Sequence, residues 1–166
     1  MNEFKKAAKA ALNKAGSFLL KEYDKFDRGT VRLKSLHEIV TKADLTSEEI
    51  IVKELKKRLP GHNILSEEMG KSGSSGDYLW IVDPIDGTTN FSMHNPIWSI
   101  SLALAHKGDI KLGYVYAPEL NELYSGEKGK GAELNGKAIN VSKVKDGKVL
   151  NTFCHGSKNK DIKKAG

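Results

Sequence analysis

The chain has 166 residues, 39% of them hydrophobic, and a formal net charge of +6. That length suits one domain, or one domain and the start of another, with enough apolar content for a real core. One cysteine, Cys154, excludes a disulfide framework and a CxxC metal pair and points to a reducing, cytoplasmic setting.

The first element is an amphipathic helix from about Asn2 to Phe26, on which Phe4, Ala8, Ala11, Ala15 and Leu19 recur at helical spacing. Gly16 is a weak point in it rather than a certain break. A packed helix suits this pattern better than a peripheral membrane helix, because the apolar face is mostly alanine. No apolar run approaches the length of a membrane span, so no membrane partner is expected. The lysines, in KKAAKAALNK, KGK at 128–130 and KNKDIKK at the end, read as solvated helix faces and turns. With no arginine-rich arm, they give no signal for a specific nucleic acid, although a role toward a polyanion is the alternative.

GTVRLKSLHEIVTKAD is expected to form brief strands or loops around Val31, Leu33, Ile39 and Val40. A second helix then starts with Thr41 as N-cap and Asp44 completing a capping box, carries Leu45, Val52, Leu55 and Leu59 on one face, and stops at Pro60-Gly61. NILS (63–66) reads as a short strand ending at Glu67 and Glu68, followed by a mobile Gly/Ser-rich connection, GKSGSSGD. Tyr78 to Val82 is a buried strand. From Pro96 the pattern is β, with Trp98, Ile100, Leu102 and Leu104 alternating with small residues and strands following in IKLGYVYA and ELYSG. Asn135-Gly136 is a hairpin signal, and VLNTFCHGS opens one more strand.

The apolar strand ends in DPIDGTTNF, 83–91. Asp-Gly between apolar segments is a turn signature, and that reading stands beside a functional one. Pro84 biases Asp83 toward extended backbone and ends the strand with a fixed carboxylate direction. Gly87 permits close approach to the backbone, and Thr88, Thr89 and Asn90 supply hydroxyls, an amide and N–H groups suited to an anion. Two carboxylates beside such a backbone repel each other and the anion unless a cation lies between them. Asp83, Asp86, the Ile85 carbonyl and Glu67 are hard oxygen donors that favour Mg2+, and the five scattered histidines do not favour zinc.

DPIDGTTNF, with SEE at 66–68 and TKAD at 41–44, closely resembles the inositol monophosphatase family of Mg2+-dependent, lithium-sensitive sugar phosphatases; GKGAELNGKAINVS (129–142) resembles the family's hairpin segment. The resemblance covers nearly the whole chain. It implies an α+β fold class, the N-terminal portion of a layered αβαβα sugar phosphatase fold, with helices packed on a largely antiparallel sheet. It further implies a metal- and phosphate-binding domain over 1–146 and, over 147–166, the start of a second α/β domain. The implied activity is hydrolysis of a small phosphorylated polyol or sugar, foremost inositol monophosphate, by two-metal activation of water. Related fructose-1,6-bisphosphatase, bisphosphate nucleotidase or histidinol-phosphatase activity is the alternative within the class, and a catalytically weak metal- or phosphate-binding protein the alternative outside it.

Carried over by position, the resemblance makes Glu67, Asp83 and the Ile85 carbonyl ligands of a first metal, with Asp83 bridging to a second held by Asp86. Thr88 orients the attacking water with Asp44 paired to its hydroxyl, so Asp44, Glu67 and Thr88 are the catalytic set. Ile85, Asp86, Gly87 and Thr88 meet the substrate, Gly87 and Thr88 through backbone N–H groups. Lys34 matches the family's lysine ahead of the Asp44 motif. Asp44 has its capping alternative, Glu68 is second to the ligands or solvated, and His94 either touches substrate or lies at the surface. Family members commonly pair as homodimers, though no interface signal is visible. The family's W-D-x-A motif in the second domain, which completes the second metal site, has no counterpart: neither Trp80 nor Trp98 begins one. The expectation is therefore a truncated copy with a weakened second metal site.

Overall fold

Ala7, Ala8, Ala11, Leu12, Ala15 and Leu19 are buried along α1 (Asn2–Tyr23), and the small alanines let this helix lie close to its neighbours. The computed structural model describes residues 1–25, 33–67, 69–73 and 76–143, with the side chains of 33–41 outside that description. Gly16 does not interrupt α1. A Cβ there would overlap the Tyr116 ring, so the glycine marks where the helix crosses the sheet.

The second helix, α2 (Leu33–Arg58), starts eight residues before Thr41, which corrects the expectation of strands and loops in this stretch. The β-branched residues there are overridden by the helix's continuation into the packed segment that follows. Thr41 therefore lies inside α2 and is no N-cap, which removes the capping box. Leu45, expected on the buried face, is exposed, whereas Ala43, Ile51, Val52 and Leu55 are buried. The two helices are clamped by Glu54, whose carboxylate takes Lys14 of α1 and Arg58 one turn away. These partners hold its pKa down at about 2. The helix stops before Pro60-Gly61, as the sequence indicates.

Among the described residues eight strands form one sheet: β1 (Asn63–Ser66), β2 (Gly70–Ser72), β3 (Tyr78–Asp86), β4 (Ser99–His106), β5 (Asp109–Ala117), β6 (Glu122–Glu127), β7 (Gly131–Leu134) and β8 (Lys137–Ile139). Their spatial order is β2-β1-β3-β4-β5-β6-β7-β8. Only β1 and β3 run parallel; every other pair is antiparallel. The expected mobile Gly/Ser connection begins as β2, paired back onto β1. At the other end, Asn135 (φ 50°) and Gly136 (φ 78°) make the tight turn between β7 and β8, both in the left-handed region that such a hairpin requires.

Trp80, Val82, Ile100, Leu102, Leu104, Leu112 and Tyr114 face α1 and α2 and form the core with them. Their neighbours in sequence point to the opposite face, following the two-residue period of a strand. Among the described residues no helix is long and apolar enough to cross a membrane. The segments expected to form a last strand and a second domain lie outside the described residues.

Candidate active site

The parallel pairing of β1 with β3 fixes the site. Ser66 stands opposite Val82, so the carboxyl ends of the two strands emerge side by side, with Glu67 beside Asp83. Ligands commonly bind outside the carboxyl ends of parallel strands. The strand is longer than the Tyr78–Val82 expected: it continues through Pro84 to Asp86. Asp83 pairs with Ser101 and Asp86 with Ser99, so β3 spends three steps where β4 spends two. This bulge accommodates Pro84, which has no N–H for the ladder, and re-aims the carboxylates that flank it.

The acidic end is electrostatically unfavourable without a counter-charge. Burial, followed by repulsion from Glu67 and Asp86, pushes the Asp83 pKa up to about 6. Asp83 Oδ1 is buried with no hydrogen-bond partner among the described residues. An orphaned carboxylate oxygen in an all-oxygen donor set suits a hard divalent cation. Among the described residues, however, no three Asp, Glu, His or Cys side chains are grouped closely enough to hold a metal ion. The residues fit the ion by donor chemistry and by the unsatisfied oxygen, but not by the spacing of their side chains.

After Asp86 the chain turns at Gly87 (φ 88°) into the short helix α3 (Thr88–Ser92). A side chain at Gly87 would be strained and would also press on the Ile97 carbonyl, 3.1 Å from an added Cβ. Asn90 Nδ2 donates to that same carbonyl at 2.7 Å, pinning the segment after α3. Phe91 anchors α3 from below, packed against Tyr23 and Trp98. The Thr88 hydroxyl donates its proton to the Ile85 carbonyl at 2.9 Å, closing the turn on itself. In this state that proton is therefore not directed at Asp44.

Asp44, Ser47 and Glu48 share one face of α2, at the spacing of neighbours on a helix, and are all buried. Ser47 Oγ donates to the Pro84 carbonyl at 3.4 Å, and Glu48 accepts from Ser66 Oγ and from the Met69 N–H. Glu48 thus holds both sides of the turn that carries Glu67. Ser47 and Glu48 are absent from the sequence-derived site, although their spacing from Asp44 on the helix expected after Thr41 could have flagged them. His94 is half-buried and stacked on Tyr23 at 4.2 Å rather than standing free at the surface. Glu68 and the Lys34 side chain lie outside the described residues.

The family model for the inositol monophosphatase family matches residues 1–166. The chain belongs to the inositol monophosphatase family. Nus factor SuhB of Pasteurella multocida is 39% identical over 155 residues, covering 92% of this chain and 58% of that relative. Among solved structures, extragenic suppressor protein suhB from Bartonella henselae superposes with a TM-score of 0.75 at 34% identity, covering 85% of this chain and 55% of the other. Inositol monophosphatase from Anabaena (Nostoc) gives 0.72 at 34% identity, covering 85% and 50%. The chain spans about half the length of the relatives it matches. The α+β class, with helices on a largely antiparallel sheet, is the N-terminal half of this family's fold.

Proposed function

We propose that the chain is a Mg2+-dependent phosphomonoesterase acting on a small phosphorylated polyol or sugar, with inositol monophosphate as the foremost candidate. The observation that carries this reading is the convergence of Glu67, Asp83 and Asp86 at the carboxyl ends of β1 and β3, where Asp83 keeps a buried oxygen with no hydrogen-bond partner among the described residues. Glu67, Asp83 and the Ile85 carbonyl would hold one Mg2+, and Asp83 with Asp86 a second. Bound there, Mg2+ supplies Lewis-acid activation of water and neutralises charge on the phosphate and the leaving alkoxide. Asp44 and the Thr88 hydroxyl orient the water, the hydroxyl rotating from the Ile85 carbonyl to do so. Gly87 allows a phosphate oxygen to approach the backbone N–H groups of the turn.

Phosphate release from inositol monophosphate and from other phosphomonoesters, in Mg2+ and in EDTA, tests this reading. Release that requires Mg2+ supports it. Absence of release at high protein concentration, with Mg2+ still raising the melting temperature, would favour a second reading, a metal- and phosphate-binding protein without catalysis.

A further inference from the structure

Past the edge of α1, the helix-side face of the sheet continues over β6 and β7. Strand register sets Tyr114, Ser125 and Glu133 side by side across β5, β6 and β7 on this face. Lys5 and Lys9, one turn apart on α1, border the row, and the turn between β6 and β7 brings Lys130 to its end. Together these residues line a slot of about 140 Å3. A cavity of that size holds several waters or one small solute.

The charges around the slot do not cancel. Glu127 takes both Lys5, at 2.5 Å, and Lys130, at 2.8 Å. Lys9 and Glu133, of opposite sign, reach neither each other nor any other ion-pair partner among the described residues. The lining thus sets the ammonium groups of Lys5, Lys9 and Lys130 against the carboxylates of Glu127 and Glu133. It also carries an unused donor. Tyr114 is only 4% exposed, yet its hydroxyl makes no hydrogen bond among the described residues. Burial first, and then the charges of Glu127 and Glu133, push its pKa up to about 12. The hydroxyl therefore keeps its proton at neutral pH, and the acceptor it lacks within the fold comes from whatever occupies the slot.

We infer that the slot binds a small acidic α-amino acid, of the size and charge of aspartate. The ammonium group of the ligand meets Glu133. One carboxylate meets Lys9 and accepts from the Tyr114 and Ser125 hydroxyls. The other meets Lys5 and Lys130, which otherwise share the single carboxylate of Glu127. One net negative charge on the ligand balances the excess ammonium group of the lining. A simple diacid leaves Glu133 with no cation, and an amino acid without an acidic side chain leaves the excess ammonium group unmatched, so both fit less well. Lys9 and Glu133 are exposed at the rim, where an ion pair adds little affinity, and they select the ligand more than they tighten its hold. A ligand of about nine non-hydrogen atoms in so open a slot is expected to bind with a Kd of about 1 mM. The inference does not depend on the phosphatase reading.

Isothermal titration calorimetry of the full chain with L-aspartate up to about 20 mM, at fixed ionic strength, tests it. Saturable binding is expected. Succinate, which lacks the ammonium group, and L-alanine, which lacks the second carboxylate, should each bind at least about fivefold more weakly. Lys9→Gln and Glu133→Gln should each weaken aspartate binding about fivefold, the size expected of ion pairs at a solvated rim. Tyr114→Phe removes a hydroxyl that the fold does not use, so it should weaken aspartate binding about fivefold while the melting temperature without ligand does not fall. No saturable heat up to the highest concentration overturns the inference. Succinate binding as tightly as aspartate overturns it too, since the ammonium group is then not read. Aspartate binding undiminished in all three variants overturns it equally, since the ligand then sits elsewhere.

Discussion

Glu48, on α2, accepts a 2.8 Å hydrogen bond from the Met69 backbone N–H, while its same oxygen takes the Ser66 hydroxyl on the other side of Glu67. A buried carboxylate thereby fixes the turn from which an exposed one, Glu67, projects. Charge-assisted bonds of this kind are stronger than neutral ones, and removing the acceptor leaves enclosed donors unsatisfied.

Glu48→Ala is therefore expected to cost about 2–3 kcal/mol of stability, and Glu48→Gln, which retains an acceptor oxygen, roughly half of that. Urea denaturation measures both. If the turn serves to place Glu67, the rise in melting temperature caused by Mg2+ should shrink in Glu48→Gln as well. A full Mg2+ response in that variant would leave Glu48 with a purely structural role.

The strands after Pro96, the hairpin at Asn135-Gly136 and the apolar run leading to Asp83 were legible because each depends on a local pattern: alternation, a left-handed dipeptide, or a continuous core stretch. The start of α2 was not, since Val31, Leu33, Ile39 and Val40 lean toward strand locally while the helix is secured by packing further along. Ser47 and Glu48 share a face with Asp44 even on a helix that starts at Thr41; what the sequence hid was their partners, Pro84, Ser66 and Met69, which come from other segments. The adjacency of Glu67 and Asp83 was also beyond local reading. It comes from the parallel pairing of β1 with β3, a contact between segments separated by β2 and a loop. Gly16 looked like a flaw in a helix because the Tyr116 ring that needs the space lies on β5, a hundred residues away.

Asp83→Asn separates the two properties of the acidic end. In the metal-free protein the folded pKa of Asp83 is raised from 3.8 to about 6, so the fold binds a proton more readily than the unfolded chain between those values. Stability from this group is thus full below pH 3.8 and lost as pH rises through 6. At pH 7.5 the asparagine variant, with no charge to desolvate or repel, is expected to melt higher than the parent in EDTA. The advantage should narrow as pH falls through 6. In Mg2+ the order should reverse, because the parent gains a ligand-linked stabilisation that the variant lacks. Calorimetry in EDTA and in Mg2+ checks both halves; an unchanged Mg2+ response in the variant would remove Asp83 from the proposed metal set.

Thr88→Val tests the water-orienting role apart from metal binding. It keeps the shape but removes the hydroxyl and, with it, the hydrogen bond to the Ile85 carbonyl, a loss expected to cost about 1 kcal/mol. The Mg2+-induced rise in melting temperature should persist, because the proposed ligands are untouched. Phosphate release, where the parent shows it, should fall by a factor of about a hundred or more, as for the loss of a positioned proton-transfer group. Release within a few-fold of the parent would exclude the Thr88 hydroxyl from the reaction.

His62 sets a pH dependence of opposite sign at the far end of β3. Its Nδ1 accepts the Trp80 indole N–H at 3.1 Å, and its ring stacks on Tyr78 at 4.7 Å with Phe4 against its edge. Burial lowers its pKa below the ordinary 6.5, while the Glu3 carboxylate on α1 opposes that shift. An imidazole that accepts at Nδ1 must be neutral there, so protonation would turn an acceptor into a donor facing the indole N–H. The unfolded chain therefore takes up the proton first, and stability falls as pH drops through 6.5 toward the folded pKa. Urea midpoints between pH 7.5 and 5.5 should decline in an Asp83→Asn background, which silences the opposing trend. His62→Gln retains an acceptor without the titration and should flatten that decline. An equal slope in both proteins would locate the titrating group elsewhere.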